Sequence, residues 1–351
     1  MTERRDILNT AAAHVPSGKA KQLPASVLEK DVWVCWVLRV LFSFEDGKEF
    51  AFKGGTSLSK VFDLIGRFSE DIDITIDYRS MKPLGNPLDP SLSRTRREKI
   101  VDDLRSRAQE YVDAQVLPRL DHEVRNAVAS GESCSVRPGD EEGSLEVLFP
   151  SALGAADAYY GPPDSMWFPG PGEERYVPGR VLIEFGGRNT TEPKERHTIE
   201  PYLKSFTRNL DFPIAQVDVL SPKRTFWEKV TLIHAELGKK AFKKTLERKA
   251  RHWYDVAILA DSEVGTAALA DRGLLKSVVR HKEVFFSGSY CEYDKCLSGQ
   301  LRLIPDGDRL KVLEDDYEEM IGAGMFFKEP PEFPQILGRL RTLQDKINSR
   351  G

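Results

Sequence analysis

The sequence reads FKGGTSLSK at residues 52–60 and RFSEDIDITID at residues 67–77, and this stretch predicts the fold. Polar and apolar residues alternate over 49–53, which is typical of a half-buried strand. Gly54 and Gly55 then permit backbone angles that a side chain would forbid. The sequence therefore predicts a strand that ends in a glycine turn.

A helix is expected to follow the two glycines. Thr56 or Ser57 can cap it, and Gly66 is expected to end it. Its apolar residues recur at helical spacing: Leu58, Val61, Phe62 and Ile65. A strand, two glycines, a hydroxyl residue and a helix N-terminus together present free backbone N–H groups and a favourable dipole to a phosphate.

Residues 71–77 predict a second strand with two chemically different faces. Three isoleucines fall on one face (Ile72, Ile74 and Ile76) and three carboxylates on the other (Asp71, Asp73 and Asp77). Carboxylates this close raise one another's pKa unless a cation lies between them. A divalent cation is the usual solution, and the alternative is an acidic strand face exposed to solvent. A phosphate-binding turn beside a metal-binding pair of aspartates predicts a nucleoside triphosphate (NTP) site.

This stretch resembles the first two motifs of the AbiEii/AbiGii toxins, a family of MenT-like proteins with the nucleotidyltransferase fold of the DNA polymerase β superfamily. The resemblance implies an α/β nucleotidyltransferase core with a mixed sheet, followed by a helical C-terminal domain. We place the core in residues 1–220 and the helical domain in residues 221–351. The resemblance implies that Asp71 and Asp73 bind Mg²⁺ or Mn²⁺. The implied nucleotide-binding residues are Gly54, Gly55, Thr56, Ser57, Ser69 and Lys229.

Two later segments resemble the remaining motifs of the family. Residues 226–229 (FWEK) match the third motif, whose lysine implies that Lys229 contacts the nucleotide phosphates; the alternative is a lysine that reaches to solvent. Residues 251–256 (RHWYDV) match the fourth motif and place Asp255 on an apolar helix stripe. A buried aspartate needs a cationic partner, which we expect to be Lys229 or Arg251. Asp255 then either positions Lys229 or acts on the acceptor.

Glu184 is a candidate third metal ligand, because it lies on a predicted central strand over 180–185. An equally open alternative is that Glu184 pairs with Arg180 or Arg188. Glu146, on a predicted strand over 144–150, is a weaker candidate for the same role.

The rest of the chain predicts a helix-rich α/β protein. A capping box formed by Ser26 and Glu29 is expected to open a helix that carries the pair Lys30-Asp31, which the family shares and whose role stays open. A helix over 94–117 is expected to stop at Pro118. Further strands are expected over 197–203 and 214–220, and a helix is expected from Ser221-Pro222 to Gly238.

The composition is typical of an ordinary cytoplasmic protein. Of 351 residues, 40% are hydrophobic and the net charge is −4, so a nucleic acid would have to bind at a local basic patch. The basic run 239–251 is either such a patch or a solvated surface. The four cysteines lack the spacing of a metal site, and no signal peptide or membrane span is expected.

By resemblance, the protein is expected to be the toxin of a toxin–antitoxin or abortive-infection system. It would transfer a nucleotide from an NTP to tRNA or another RNA, and an AbiEi-type antitoxin would counter it. Two alternatives stay open. One is transfer of a nucleotide or phosphate to a protein hydroxyl such as Ser69, and the other is a toxin that binds nucleotide without turnover.

Overall fold

The computed structural model describes residues 23, 25–45, 47–128, 134–152, 179–205, 210–239 and 248–349. These residues form a seven-stranded sheet and ten α-helices. The strands are β1 (Phe50–Lys53), β2 (Ile72–Asp77), β3 (Ser135–Pro138), β4 (Ser144–Leu148), β5 (Arg180–Asn189), β6 (Lys194–Ile199) and β7 (Ala215–Leu220). The helices are α1 (Ala25–Leu41), α2 (Gly54–Lys60), α3 (Arg94–Tyr111), α4 (Leu117–Ala127), α5 (Pro222–Glu236), α6 (Ala250–Ala260), α7 (Glu263–Ala270), α8 (Arg272–Phe285), α9 (Gly307–Gly322) and α10 (Phe333–Asn348).

The sheet is mixed, as predicted, and its strand order is β3-β4-β5-β2-β1-β7-β6. Strand β2 runs parallel to β5, and β1 runs parallel to β7, whereas the other neighbours are antiparallel. The strand carrying the aspartates therefore lies at the centre of the sheet. Strand β3 was not predicted, and the segment predicted as a strand over 197–203 instead ends at Ile199 and is followed by a 3₁₀ turn (Tyr202–Ser205).

The first hydrophobic core lies on the isoleucine face of the sheet. Ile72, Ile74 and Ile76 are fully buried there, in the same cluster as residues of α1, α3 and α4. This confirms that side chains two apart on β2 separate into an apolar and an acidic face. Helix α1 packs against β7 and β5, so one side of the sheet is closed by helices.

The second core joins the C-terminal helices to α2 and to the segment between α2 and β2. It contains buried residues of α5, α6, α8, α9 and α10 together with Leu58, Ile65 and Phe68. The predicted boundary at residue 220 stays a prediction, since this core draws on both sides of it. In the part of the chain that the structure describes, no helix is long and apolar enough to cross a bilayer.

Helix α2 is shorter than predicted. It begins at Gly54, so Thr56 and Ser57 lie inside its first turn, and the N-cap is Lys53, which makes no side-chain capping bond. The helix ends at Lys60 instead of continuing to Ile65. Asp63 has a φ of 52°, a left-handed backbone conformation that a right-handed helix does not contain.

Two further predicted helix boundaries are wrong. Helix α1 begins at Ala25, before Ser26, so Ser26 is not the N-cap residue, and the Glu29 carboxylate accepts hydrogen bonds from Ser151 Oγ (2.8 Å) and Ala152 N (2.5 Å). Pro118 does not end the helix predicted over 94–117. A π-helical turn over 112–116 lies between α3 and α4, and Pro118 falls in the first turn of α4, where its missing N–H is tolerated.

Helix α5 follows Ser221 as predicted, although the Ser221 side chain makes no capping hydrogen bond. Gly238 follows the end of the helix closely. A Cβ atom at Gly238 would lie 2.0 Å from the Tyr290 carbonyl oxygen, which explains the glycine there by close packing of two backbones.

The pair Lys30-Asp31 forms two buried ion pairs. Lys30 Nζ donates to Glu70 Oε2 at 2.5 Å, and Lys60 Nζ donates to Asp31 Oδ1 at 2.5 Å. Asp31 also accepts from the backbone N–H of Tyr202 at 2.6 Å. These bonds attach α1 to the end of α2, to the segment before β2 and to the 3₁₀ turn at Tyr202, so the contacts of Lys30 and Asp31 support a structural role.

We expect Asp31→Ala to lower the free energy of unfolding by about 3–5 kcal/mol, because it leaves the Lys60 ammonium buried without its partner. Chemical denaturation followed by circular dichroism measures the change. Glu98→Ala is the control, since it removes a carboxylate from the exposed pair with Arg94 and should not move the midpoint measurably. Equal midpoints for wild type and Asp31→Ala would contradict the structural assignment.

Candidate functional site

The acidic face of the sheet carries a row of charged side chains. Lys53 on β1 is directly opposite Asp73 on β2, and Asp73 is opposite Glu184 on β5. Directly paired residues share one face of a sheet, so these three side chains project from the same side. Asp71 lies two residues before Asp73, just ahead of β2, and is largely buried. The structure thus brings the three predicted metal ligands to neighbouring positions.

Gly54 and Gly55 hold the backbone against this row. Gly54 has a φ of +81°, and a Cβ atom there would lie 1.8 Å from Asp73 Oδ2. At Gly55, a Cβ atom would lie 2.7 Å from Ser69 Oγ and 2.9 Å from Arg67 Nη2. Any side chain at either position would therefore displace a charged or polar group of the site. Close approach, in addition to backbone freedom, explains the glycine pair.

The hydroxyl groups of the predicted nucleotide site make internal hydrogen bonds. Thr56 Oγ1 donates to the Asp71 carbonyl oxygen at 2.6 Å and lies 3.0 Å from Ser69 Oγ. Ser57 is fully buried and donates to the Gly54 carbonyl oxygen at 3.0 Å. Thr56 therefore fixes Asp71 relative to α2, and Ser69 is the more exposed of the two serines.

Glu184 has no salt-bridge partner among the described residues. Its two alternative partners are engaged elsewhere, because Arg180 pairs with Glu146 at 2.6 Å and Arg188 donates to the Phe285 carbonyl oxygen. Burial, together with the charges of Asp73 and Asp71, raises the pKa of Glu184 to about 8.

The alternative candidate Glu146 is neutralised by two guanidinium groups. It pairs with Arg137 at 2.8 Å as well as with Arg180. Its charge is thus already compensated, which leaves Glu184 as the stronger candidate for a third metal ligand.

Asp71 is paired with a cation from the fourth motif. Arg251 Nη1 donates to Asp71 Oδ2 at 3.0 Å. Despite burial, the charges of Arg251 and Lys30 hold the pKa of Asp71 below its ordinary value. Of the two partners expected for Asp255, Arg251 extends from the start of α6 toward the sheet and binds Asp71.

Asp255 is fully buried and binds two cations. Arg67 Nε and Nη2 donate to its two carboxylate oxygens at 2.7 and 2.8 Å, and Lys229 Nζ lies 3.0 Å from Oδ2. Burial opposes ionisation, but Arg67 and Lys229 outweigh it and keep the pKa of Asp255 below its ordinary value. The predicted partner Lys229 is confirmed, and Arg67 is a second partner that the sequence analysis did not assign.

Lys229 is directed by a second neighbour, His252. Its Nζ lies 3.2 Å from His252 Nδ1. Burial and the nearby Lys229 and Arg251 charges hold the pKa of His252 well below its ordinary value, so the neutral ring can accept a hydrogen bond from the lysine. Only about 10% of the Lys229 side chain is exposed, which excludes the alternative of a lysine extended into solvent.

Glu228 connects the same helix to the glycine turn. Its carboxylate lies 3.6 Å from Lys53 Nζ and accepts from Arg224 and Asn189, each at 3.1 Å. Although it is buried, Lys53 and Arg224 lower the pKa of Glu228 to about 2. Lys53 directly precedes Gly54, and Glu228 directly precedes Lys229. Their positions in the motifs did not indicate that the side chains of Lys53 and Glu228 lie close together.

Asp77 does not belong to the acidic row. It accepts hydrogen bonds from Arg79 and from the Thr191 backbone N–H, and these bonds, acting against burial, lower its pKa to about 2. The third carboxylate of the predicted acidic face therefore stabilises the turn after β2.

The donor set of the acidic row fits a hard divalent cation. Asp71, Asp73 and Glu184 supply only oxygen atoms, and Glu184 has like charges as neighbours. Among the described residues, no three His, Cys, Asp or Glu side chains are grouped closely enough to enclose a metal ion by themselves. Proteins commonly bind Mg²⁺ through one or two carboxylates, while substrate phosphates and water complete its shell.

The described members of the basic run 239–251 are paired with acids. Lys239 and Lys249 bind Glu236 at 2.7 and 2.9 Å, Arg248 binds Glu70 at 3.1 Å, and Arg251 binds Asp71. The remaining lysines of the run, Lys240, Lys243 and Lys244, lie outside the described residues.

Comparison with known proteins identifies the family and the fold of this chain. The profile of the family described as "Nucleotidyl transferase AbiEii toxin, Type IV TA system" matches residues 36–339. The structure is similar to MenT4, a nucleotidyltransferase toxin from Mycobacterium tuberculosis H37Rv, with a TM-score of 0.50 and 15% sequence identity over 98% of this chain and 89% of that chain. At that identity the similarity concerns the fold, and it confirms the predicted fold class. No curated protein matches the sequence. Because the family profile covers most of the chain, this protein belongs to the AbiEii family of nucleotidyltransferase toxins of type IV toxin–antitoxin systems.

Proposed function

We propose that the protein transfers a nucleotide from an NTP to tRNA or another RNA, with Asp71, Asp73 and Glu184 as ligands of Mg²⁺ or Mn²⁺. The observation that supports this proposal is the position of Asp73, which lies against the Gly54 backbone and between Lys53 and Glu184. A phosphate bound at the glycine turn would thus be adjacent to carboxylates and lysines at once. The metal ion, when bound, would neutralise charge on the triphosphate.

In the proposed reaction, an acceptor hydroxyl attacks the α-phosphorus of the NTP. A bond from the acceptor oxygen to phosphorus forms, the O–H bond of the acceptor breaks and its proton passes to solvent, the bond from phosphorus to the bridging oxygen of the β-phosphate breaks, and pyrophosphate leaves. Lys229 would offset the negative charge that builds up on the phosphate oxygens. Asp255 would hold Lys229 in place for that role, because both carboxylate oxygens of Asp255 are occupied by Arg67 and Lys229. We therefore assign Asp255 to positioning Lys229, in preference to acting on the acceptor.

The family is one of paired toxins and antitoxins, so we propose an AbiEi-type protein as the partner. We also propose that the toxin acts in the cytoplasm, where NTPs and RNA are available. Transfer to a protein hydroxyl, and nucleotide binding without turnover, are the competing functions that an assay must separate.

We expect Asp71→Asn and Asp73→Asn each to reduce nucleotide transfer by roughly 10²–10³-fold and to abolish growth arrest, since each removes a charge that a metal ion needs. The assay incubates the protein with each labelled NTP in turn, with total tRNA or alone, and follows label in RNA and in protein. Binding of Mn²⁺ by titration calorimetry should weaken in both variants.

The matched control is Asp218→Asn, which makes the same change on β7 of the same sheet, where the carboxylate pairs with Lys194 and Arg196. It should keep transfer and Mn²⁺ binding. Label in protein instead of RNA would favour the protein acceptor. Growth arrest by soluble Asp71→Asn and Asp73→Asn variants would rule out the catalytic assignment and leave nucleotide binding without turnover.

Lys229→Met and Arg67→Met should separate catalysis from stability, because both remove one cation from Asp255. Arg67→Met removes two hydrogen bonds from a buried carboxylate and should cost about 3–5 kcal/mol of unfolding free energy. Lys229→Met leaves those two bonds and should cost about 1.5–3 kcal/mol. It should nevertheless slow transfer roughly 10²-fold or more, since a contact to the reacting phosphates is lost.

Denaturation midpoints and the labelled-NTP assay, both at a temperature where each variant is folded, measure the two effects. Near-normal transfer by Lys229→Met would assign Lys229 to the buried ion pair alone.

A further inference from the structure

Helix α8 carries a row of basic side chains that lack acidic partners. Arg272, Lys276 and Arg280 recur at a spacing of four residues, so they lie along one side of the helix. None of the three forms a salt bridge with a described residue, and Lys276 and Arg280 are exposed. Like charges at this spacing destabilise a helix. A row of this kind suggests an anionic ligand.

Two cavities lie beside α8. One, of about 850 Å³, is lined by Lys276 and Arg280. The other, of about 1110 Å³, is lined by three more cations, Arg97, Arg188 and Lys282. Both cavities include the buried residues Arg224 and His281 in their linings, so they are neighbours along α8. We call the surface of these two neighbouring cavities the basic groove.

Three cations of the larger cavity form no salt bridge with a described residue, whereas three of its acids are paired with basic residues. Arg97 donates only to carbonyl oxygens of residues 87 and 89, and neither Arg188 nor Lys282 has a carboxylate partner within the described ranges. By contrast, Glu98, Glu228 and Glu236 are paired with other basic residues. The other lining acids are Asp102 and Glu283 in the larger cavity and Asp89 and Glu192 in the smaller one. The two linings together therefore carry ten Lys or Arg side chains and seven Asp or Glu side chains, an excess of positive charge.

The larger cavity also exposes aromatic rings. Phe286 is 38% exposed, and the Arg188 guanidinium and the Lys282 ammonium lie 5.0 and 5.2 Å from its ring centroid. Tyr290, in the same lining, is 41% exposed, and Lys239 Nζ lies 5.7 Å from its ring centroid. Cations beside exposed aromatic rings are the usual surface for unpaired nucleic acid bases and their phosphates.

The groove reaches the proposed catalytic row. Lys53 lines the larger cavity and is the strand partner of Asp73, and Glu228 also lines it. A chain bound along α8 would thus approach the glycine turn from the side of Lys53. The described residues of the basic run 239–251 are all held by acids, so they offer a polyanion less free charge than the groove does.

We propose that this basic groove, formed by Lys276, Arg280, Lys282, Arg188, Arg97 and Phe286, binds a single-stranded segment of the RNA acceptor. The inference rests on the proposed function and adds where the acceptor binds. The basic side chains contact phosphates, and Phe286 stacks on a base. The aromatic ring beside the cations favours unpaired RNA over a duplex or an acidic protein.

The test measures binding of a short fluorescein-labelled single-stranded RNA by fluorescence anisotropy, without NTP, over a series of salt concentrations. Lys276→Ser/Arg280→Ser should weaken binding and make the slope of log affinity against log salt shallower by about 1.4, since each lost phosphate contact contributes about 0.7. Phe286→Ala should weaken binding roughly 5- to 100-fold with little change in slope.

The matched control is Arg341→Ser/Lys346→Ser, which removes two exposed cations from α10, a helix that packs on α6. It should leave the affinity and the slope close to those of wild type. NTP binding should be unaffected in all these variants. Circular dichroism checks that each variant is folded, including Lys276→Ser/Arg280→Ser, which removes the hydrogen bond from Arg280 to the Leu88 carbonyl oxygen.

Wild-type affinity and slope in Lys276→Ser/Arg280→Ser would overturn the proposal, as would no RNA binding by the wild-type protein. Weakened NTP binding with unchanged RNA binding would assign the groove to the nucleotide and would overturn it as well. Because the assay contains no NTP, its outcome is independent of transfer. Intact RNA binding without transfer would contradict the proposed function alone.

Discussion

The buried carboxylate of Asp255 binds two cations that come from separate parts of the chain. Arg67 comes from the segment before β2, and Lys229 comes from α5. A charge with no exposure to water is costly unless it is paired and hydrogen-bonded, so this site permits few other arrangements. The helices of the second core are thereby fixed against the acidic face of the sheet. The position of Lys229 depends on that contact.

The cations of the site are held by acids outside the acidic row. Lys53 is adjacent to Glu228, and Lys229 is bound by Asp255, while Asp73 lies between them on β2. Groups fixed in advance by their own partners need little rearrangement when charge develops on a substrate. The exception is Arg251, which binds Asp71 directly. A metal ion at Asp71 would compete with that guanidinium, since both need the same carboxylate.

Charge is distributed differently in the catalytic row and on α8. In the row, the basic residues face acids, and their charge is mostly compensated within the protein. On α8, Arg272, Lys276 and Arg280 form no salt bridge with an acid among the described residues, although Asp89 and Glu192 line the same cavity as Lys276 and Arg280. A protein with a net charge of −4 that keeps such an uncompensated basic surface directs anionic ligands to it. This contrast separates the part of the molecule that we propose performs chemistry from the part that we propose binds the acceptor.

The sequence by itself determined the features that depend on local spacing. Alternation over 71–77 predicted the strand and its two faces, the glycine pair predicted a close backbone turn, and the motif residues predicted the family. Only the tertiary structure decided which charges meet: Arg67 with Asp255, Arg251 with Asp71, and Lys53 with Glu228. The first of these pairs joins residues 188 positions apart in the sequence. The spacing of residues along the chain does not indicate which residues so far apart are in contact. The helix ends at Lys60 and Ala127 were missed for a related reason, because a left-handed Asp63 and a π-helical turn depend on packing around them.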